Sequence, residues 1–286
     1  MKQTMTYKQT NKCTINLDVY NHQPNSPVII YIHGGALIFG TRDWLSLEQV
    51  EYYLNAGFNV VSIDYRLAPE TNLEAIVEDI QDAINWVRTS ATKLYDFDTN
   101  RIALIGCSAG AYLSLLIGTI DKNLKAIVSF YGYGDILGQW YAEPSEYYCQ
   151  RPIVYPNEAY NFVGRTETTD GPWSRFNFYL FCRQQGVWVE EVTGLNRHDD
   201  RLRMYNPIYN LSEDYPPTLF LHGDKDTDVP YEQSIMLYDM LKNLDVNTEL
   251  VTIHNGDHGF DHNFNEPNVQ VAFKKVVAFL QRHMSN

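Results

Sequence analysis

Apolar runs alternate with amphipathic stretches along most of the chain. The continuous apolar runs predict buried strands, and they lie at 28–32, 59–63, 101–105, 124–131, 217–222 and 248–253. Residues 73–87 and 269–282 carry apolar side chains at helical spacing on one face. Residues 13–20 instead alternate apolar with polar side chains, which predicts a half-exposed edge strand. Strands that alternate with helices predict the α/β class, with a mostly parallel central sheet and helices on both faces.

The alternation breaks in an irregular, aromatic-rich segment at residues 136–204. A long insertion between two strands of a sheet is more typical of a cap than of a second domain. The sequence therefore predicts an α/β core formed by residues 1–135 and 205–286, with a cap insertion at 136–204 that covers the active site. A few of the aromatic side chains in this segment should line a pocket, while most of them form the core of the cap.

Composition and charge restrict the expected partners. The 286 residues are 44% hydrophobic and 20% charged, as in ordinary globular proteins. A formal net charge of −13 argues against nucleic acid and anionic membrane surfaces as partners, and it mildly disfavours strongly anionic substrates. Residues 1–11 are polar, unlike a signal peptide, and no segment approaches the roughly 20 apolar residues of a membrane span. We therefore predict a cytoplasmic protein, for which the formation of a homo-oligomer is left open.

The strongest chemical signal is a G-x-S-x-G pattern, which spans Gly106 to Gly110. Apolar runs flank it on both sides, so a strand is expected to turn into a helix at Ser108. Such a turn lifts the hydroxyl out of the backbone, and the two glycines let strand and helix pass close together. Ser108 is therefore the predicted nucleophile, whereas the neighbouring Cys107 is expected to be a small buried residue and not a second catalytic thiol.

A serine nucleophile needs a base and an acid that orients the base. Three aspartates follow the strand that ends at His222, and any of them could be a solvated turn residue. Asp226 is the preferred acid because it lies four residues past His222, just beyond the end of the strand. Asp228 is the alternative.

The base is expected in the loop at 254–260, which follows the last predicted strand. His258 lies in this loop, and an imidazole with a pKa near about 6.5 suits a general base at neutral pH. The spacing of His254, His258 and His262 by four residues also permits a metal site on a helix. Two glycines interrupt any such helix and no H-E-x-x-H pattern occurs, so we predict neither a metal nor a cofactor.

Donors for an oxyanion are expected from backbone N–H groups. One belongs to Ala109, directly after the serine, and the others lie in the glycine loop at residues 33–36. His33 is interpreted as a structural anchor of that loop. The segment 64–66, Asp-Tyr-Arg, is interpreted as a hydrogen-bonding feature at the end of a strand, without a catalytic role.

Together these motifs resemble the α/β-hydrolase esterases of the hormone-sensitive-lipase-like group. The order Ser, Asp, His is the one expected of an α/β-hydrolase. The matching motifs are His33-Gly34-Gly35, Asp64-Tyr65-Arg66-Leu67-Ala68-Pro69, Gly106-Cys107-Ser108-Ala109-Gly110, His222-Gly223-(x)2-Asp226-(x)2-Val229-Pro230 and His258-Gly259-Phe260. The chain departs from the group's patterns H-G-G-G and G-D-S-A-G-G at Ala36, Cys107 and Ala111.

The resemblance implies hydrolysis of carboxylic esters through an acyl-enzyme. It implies a catalytic triad of Ser108, Asp226 and His258, and an oxyanion hole formed by the N–H groups of Gly35, Ala36 and Ala109. The leading hypothesis is a carboxylesterase that acts on small, largely uncharged esters. One alternative is an amide or peptide hydrolase, because the motif around Asp226 also occurs in prolyl-oligopeptidase-like hydrolases. The other is a catalytically silent ligand-binding relative.

Overall fold

A single sheet organises the chain, and the computed structural model describes residues 2–285 of it. The strands are β1 (Lys2–Gln9), β2 (Thr14–Tyr20), β3 (Pro27–Ile32), β4 (Asn59–Ile63), β5 (Asp98–Cys107), β6 (Ala126–Phe130), β7 (Thr218–Gly223) and β8 (Thr248–Ile253). Within the described range they pair in the order β1-β2-β4-β3-β5-β6-β7-β8. β2 pairs antiparallel with β1 and β4, and every pair from β4 to β8 is parallel. The predicted α/β class is confirmed.

Helices connect the parallel strands and cover both faces of the sheet. They are α1 (Leu47–Asn55), α2 (Leu73–Trp86), α3 (Thr92–Tyr95), α4 (Ala109–Ile120), α5 (Gln139–Ala142), α6 (Pro156–Ala159), α7 (Phe176–Gln185), α8 (Trp188–Thr193), α9 (Glu232–Asn243) and α10 (Pro267–Met284). The helices predicted at 73–87, after Ser108 and at 269–282 are present, as α2, α4 and α10. Between residues 2 and 285, no helix combines the length and the apolar character needed to cross a bilayer.

One prediction at the start of the chain is wrong. Residues 14–20 form a strand, but β2 is not at the edge of the sheet, because β1 pairs along its outer side. β1 is largely exposed and its sequence, KQTMTYKQ, has few apolar residues. An edge strand with one solvated face needs few apolar side chains, so hydrophobic pattern alone did not reveal it.

The core divides into two apolar layers, one on each face of the sheet. Along β3, Ile30 and Ile32 face the layer that contains α2 and α4. Ile29 and Tyr31 face the layer that contains α1 and α10. Because successive side chains of a strand point to opposite faces, a strand that is buried on both sides must be apolar throughout. This explains the continuous apolar runs of the sequence.

The segment at 136–204 holds α5 to α8 and lies over the carboxyl ends of the parallel strands. The indole of Trp188 is fully buried and stacks on Tyr141, with 4.0 Å between the ring centroids. Its Nε1–H donates to the carbonyl oxygen of Ala36 over 3.0 Å. Arg175 forms a buried ion pair with Glu70 and also donates to the carbonyl oxygen of Ile38 over 2.6 Å. These contacts attach the segment to the glycine loop of the core.

Candidate functional site

Ser108 lies at a tight turn between β5 and α4. Its φ of 52° and ψ of −120° are rarely adopted by a residue with a side chain, so the surrounding packing must hold the turn in place. A Cβ on Gly106 would lie 2.2 Å from the carbonyl oxygen of Gly110, and a Cβ on Gly110 would lie 2.1 Å from that of Ile32. Only glycine fits at these two positions, as the sequence argument requires.

The structure brings Ser108, His258 and Asp226 into one hydrogen-bonded row. The Oγ of Ser108 lies 3.1 Å from Nε2 of His258. The Nδ1 of His258 lies 2.8 Å from Oδ2 of Asp226. Asp226 follows β7 and His258 follows β8, so both side chains come from loops at the carboxyl edge of the sheet, next to the turn that carries Ser108.

The carboxylate of Asp226 is fully buried and held on both of its oxygens. Oδ1 accepts hydrogen bonds from the N–H groups of Asp228 and Val229, each over 2.9 Å. Oδ2 faces His258 and also lies 3.2 Å from Nε2 of His222. Burial alone would favour the neutral acid, but the hydrogen bonds from His222 and His258 outweigh it and hold the pKa of Asp226 well below its usual range. Asp226 is therefore ionised at neutral pH.

His222 is a supporting residue that the sequence analysis treated only as the end of a strand. Its Nδ1 lies 2.7 Å from the hydroxyl of Ser234, and its Nε2 lies 3.0 Å from the carbonyl oxygen of Val229. Nε2 faces two oxygen acceptors, so it carries the proton and donates toward Asp226. A buried histidine four residues before the acid, at the end of a strand, was the available signal.

The imidazole of His258 has a strongly acidic surrounding. Burial would lower its pKa, but the hydrogen bond to Asp226 and the negative charges of Asp226, Asp228 and Asp257 raise the pKa above its ordinary value. The side chain is 23% exposed, and the ring of Tyr131 lies against it with 4.6 Å between centroids. The proton affinity of His258 is therefore higher than that of a free histidine.

The acid alternative, Asp228, lies on the other side of the imidazole. Its Oδ2 is 3.8 Å from Nε2 of His258, the nitrogen that faces Ser108. Its Oδ1 accepts hydrogen bonds from Arg183 and from the hydroxyl of Tyr179, each over 2.6 Å. Of the two aspartates, Asp226 is the one that lies at Nδ1, where a carboxylate can orient the base.

The glycine loop presents backbone N–H groups near Ser108. Gly35, Ala36 and Leu37 have positive φ angles of 99°, 56° and 65°, which turn this loop sharply. Within residues 2–285, no hydrogen-bond acceptor is found for the N–H groups of Gly35, Ala36 or Ala109. A Cβ on Gly35 would lie 1.9 Å from the carbonyl oxygen of Phe39, so this position also requires glycine. Free donors on two loops that flank a serine can stabilise a developing oxyanion.

A cavity of about 370 Å³ opens in front of Ser108 and His258. Its walls include Gly34, Gly35 and Ala36 of the glycine loop. Many of the remaining walls are aromatic. Phe39 and Trp44 come from the loop after β3, and the segment at 136–204 contributes Tyr147, Tyr148, Trp173, Phe176 and Tyr179. The cavity therefore suits a ligand of modest size with apolar surface.

The other conspicuous side chains near the site have structural contacts. The Nδ1 of His33 lies 2.7 Å from the carbonyl oxygen of Gly34, and its ring stacks on Tyr65 at 4.2 Å. Burial lowers the pKa of His33 to about 4, against the effect of its hydrogen bond to Gly34, so the ring is neutral. Burial also raises the pKa of the Cys107 thiol to about 12. Neither group has the properties of a base or a thiolate nucleophile at neutral pH.

The histidines of the metal alternative point in different directions. His254 is highly exposed and lies 3.1 Å from Asp224, whereas His258 faces Asp226 and Ser108. Among residues 2–285, no group of three or more histidine, cysteine, aspartate or glutamate side chains is arranged to hold a metal ion.

The chain is similar in sequence to known families and proteins. Residues 17–153 match the BD-FAE family, and residues 177–286 match the prolyl oligopeptidase family. Esterase LipC of Mycobacterium tuberculosis is 27% identical over 251 residues, which cover 82% of this chain and 53% of LipC. The probable carboxylesterase M8 of a Phoma species is 27% identical over 262 residues, which cover 84% of this chain and 81% of M8. The chain thus spans about half the length of LipC.

A solved structure from Staphylococcus aureus, described as a protein of unknown function, superposes with a TM-score of 0.81. The two sequences are 25% identical, and the match covers 99% of each chain. Its fold is therefore similar to that of this protein along almost the whole chain. The protein therefore has the α/β-hydrolase fold, and its sequence is similar to those of known esterases over more than four fifths of its length.

Proposed function

We propose that the protein is a serine esterase that hydrolyses small, largely uncharged carboxylic esters through an acyl-enzyme. The observation that supports this most strongly is the hydrogen-bonded row from Ser108 to His258 to Asp226, with distances of 3.1 Å and 2.8 Å. The cavity in front of it, about 370 Å³ and largely aromatic, supports a substrate of modest size.

In the first half of the proposed reaction, Ser108 attacks the ester carbonyl carbon while its proton passes to Nε2 of His258. The ionised Asp226 holds Nδ1–H and stabilises the imidazolium that forms. The carbonyl oxygen becomes an oxyanion, and the N–H groups of Gly35, Ala36 and Ala109 donate to it. His258 then gives the proton to the leaving alcohol, which departs and leaves an acyl group on Ser108.

In the second half, water enters and His258 removes a proton from it. The resulting hydroxide attacks the acyl carbon, and collapse of the second tetrahedral intermediate releases the carboxylic acid and restores the Ser108 hydroxyl. We also propose that residues 136–204 act as a cap, because they supply five of the aromatic walls of the cavity. The cytoplasmic location stays a prediction, which fractionation of the source cells would test.

The mechanism predicts that Ser108→Ala abolishes hydrolysis of a p-nitrophenyl acyl ester. Circular dichroism and the melting temperature should match those of the wild type, since the alanine removes only one half-buried oxygen at the turn. A Ser114→Ala variant is the control, because that buried serine donates to the carbonyl oxygen of Gly110 within α4 and lines no part of the cavity. Hydrolysis retained by the Ser108 variant would refute the mechanism.

Two alternatives share the same site. A fluorophosphonate probe should label Ser108 of the folded protein, and a lack of adduct would favour the silent ligand-binding relative. Turnover of matched ester and aryl-amide substrates separates an esterase from an amide or peptide hydrolase. The match to the prolyl oligopeptidase family lies on the half of the chain that carries Asp226 and His258. Both hydrolase classes need those residues, so this match favours neither class.

A further inference from the structure

A buried ion pair joins the 136–204 segment to the loop that carries Asp226. Nη1 of Arg183, on α7, donates to Oδ1 of Asp228 over 2.6 Å, and the two side chains are 3% and 13% exposed. The guanidinium is also enclosed by aromatic rings, with centroids 4.9 to 5.7 Å away. These rings belong to Trp140, Tyr141, Tyr148 and Tyr179. Burying the two charges costs desolvation free energy, so a pair of this kind need not stabilise the fold.

The position of Asp228 gives this ion pair a role at the proposed base. Its second oxygen, Oδ2, lies 3.8 Å from Nε2 of His258, which is the nitrogen that must accept the proton of Ser108. An unneutralised carboxylate at this distance would stabilise the imidazolium. It would also compete with Ser108 for the same nitrogen. A histidine in that state is a poor base at neutral pH.

Arg183 neutralises the carboxylate of Asp228, so it opposes both the stabilisation of the imidazolium and the competition for Nε2. Within residues 2–285 it is the only lysine or arginine that lies within 4.0 Å of the carboxylate of Asp228. Nη1 and Nη2 also reach the carbonyl oxygen of Asp228, each over 3.4 Å. The N–H of Asp228 donates to Oδ1 of Asp226, so the arginine fixes a residue that holds the acid.

We propose that Arg183 is a positioning residue, which neutralises Asp228 and thereby keeps Nε2 of His258 free to act as a base at neutral pH. The proposal rests on the proposed function, because it assigns a role within the same site. Arg183 acts through Asp228 and His258, and it is not among the residues that line the cavity in front of Ser108.

Other titratable groups face His258, and none takes the place of Arg183. Asp226 is bound at Nδ1, and Asp257 accepts hydrogen bonds from the N–H groups of Thr227 and His258. Tyr131 packs on the ring and donates its hydroxyl proton to Asp261 over 2.5 Å. The remaining titratable groups that line the same cavity are Cys107, Tyr147, Tyr148, Arg151, Tyr179 and His262.

The test is the pH dependence of kcat/KM for a p-nitrophenyl acyl ester between pH 5 and 9, in the full chain. Arg183→Met leaves Asp228 unneutralised, so the midpoint of the acid limb should rise by about one pH unit. Asp228→Asn removes the negative charge but keeps Arg183, so the midpoint should fall below that of the wild type. In R183M/D228N both charges are absent, and the midpoint should return close to the wild-type value.

Further variants separate charge from packing. Arg183→Lys keeps the positive charge, so its midpoint should match the wild type even where kcat falls. Arg201→Met is the matched control, because Arg201 is exposed and pairs only with Asp199 within the described chain. An NMR titration of the His258 ring in each variant measures the change in the pKa of His258 without any turnover.

A midpoint in R183M equal to that of the wild type would overturn the proposal. So would a double variant that keeps the shift, because loss of packing would then explain it. If R183M fails to fold, the acid-limb midpoint of R183M/D228N must still lie above that of D228N, because D228N retains the positive charge of Arg183. The proposed function fails separately, when wild-type protein neither hydrolyses the ester nor is labelled at Ser108. The NMR titration would then still decide whether Arg183 controls the pKa of His258.

Discussion

Replacing Asp226 with asparagine changes the site in a way that the structure specifies. Oδ1 of Asp226 accepts from two backbone N–H groups, so in the variant the amide oxygen must occupy this position. The amide NH2 group then replaces Oδ2, which faces Nδ1 of His258. An NH2 donor at that place requires an acceptor, so Nδ1 loses its proton and Nε2 carries it. In this tautomer His258 cannot accept the proton of Ser108.

The expected loss of kcat is therefore about 10⁴-fold, the scale on which a wrong tautomer disables a serine-histidine pair. His222 adds to the loss, since its Nε2–H donor would also meet the new NH2 group. The residual activity should also change its pH dependence. Asp226 raises the pKa of His258 through a hydrogen bond and a negative charge, and the variant has neither.

The sign of the pH effect follows from the role of the base. His258 must be neutral to act, so activity falls as the pH drops through its pKa. In the wild type this acid limb should lie at a higher pH than for a free histidine, because Asp226 raises the pKa of His258. In the variant the pKa falls, and the limb should move toward lower pH by about one unit. The negative charges of Asp228 and Asp257 remain in the variant, and they limit how far the pKa of His258 falls.

The assay is kcat and kcat/KM for a p-nitrophenyl acyl ester across the same pH range. Asp224→Asn is the matched control, because Asp224 lies in the same loop but pairs with the exposed His254. It should stay within about twofold of the wild type. Activity of the Asp226 variant within tenfold of the wild type, or an acid limb that does not move, would refute the argument. In that case Asp228 would be the next acid to test.

Two further predictions concern the turn at Ser108. Gly110→Ala places a methyl group 2.1 Å from the carbonyl oxygen of Ile32. It should lower the free energy of unfolding by at least about 1–3 kcal/mol and reduce activity as well. Urea unfolding checks this against Gly164→Ala, where the added Cβ meets no atom closer than 3.4 Å; equal losses would contradict it. Cys107→Ala should keep most of the activity, since burial holds the pKa of that thiol near 12. Loss of activity without loss of stability would show that the thiol takes part.

The hydrophobic pattern predicted the parts of the fold that are buried on both sides. Strands such as β3 and β4 must be apolar throughout, which sets them apart from amphipathic helices such as α2. β1 escaped because an exposed edge strand is stabilised by backbone pairing with β2 and needs few apolar side chains. The sheet order was not predictable from pattern either, since pairing joins β3 to both β4 and β5.

The candidate site also has a part that the sequence predicted and a part that it did not. The sequence predicted that Ser108, Asp226 and His258 would lie together, because each follows a buried strand and parallel strands end at one edge. Their side chains do lie within hydrogen-bond distance, and their chemical roles are what the variants test. The individual aromatic walls of the cavity were not predictable. Tyr148 and Trp188 are both aromatic residues of the same irregular segment, and its sequence does not distinguish a wall residue from a core residue. One lines the cavity, whereas the other is buried beneath the glycine loop.

Arg183 and Asp228 show why some of the chemistry becomes visible only in three dimensions. They are 45 residues apart along the chain, and the sequence gives no reason to pair an arginine in an irregular segment with the second aspartate of a loop. The fold places the carboxylate of Asp228 between a guanidinium and the imidazole of His258. The same aspartate that competes with Asp226 in sequence would, if unpaired, hold the base in its protonated form. In the proposed mechanism, the base therefore depends on a positive charge supplied by the 136–204 segment, and the same segment would control the base as well as the shape of the cavity.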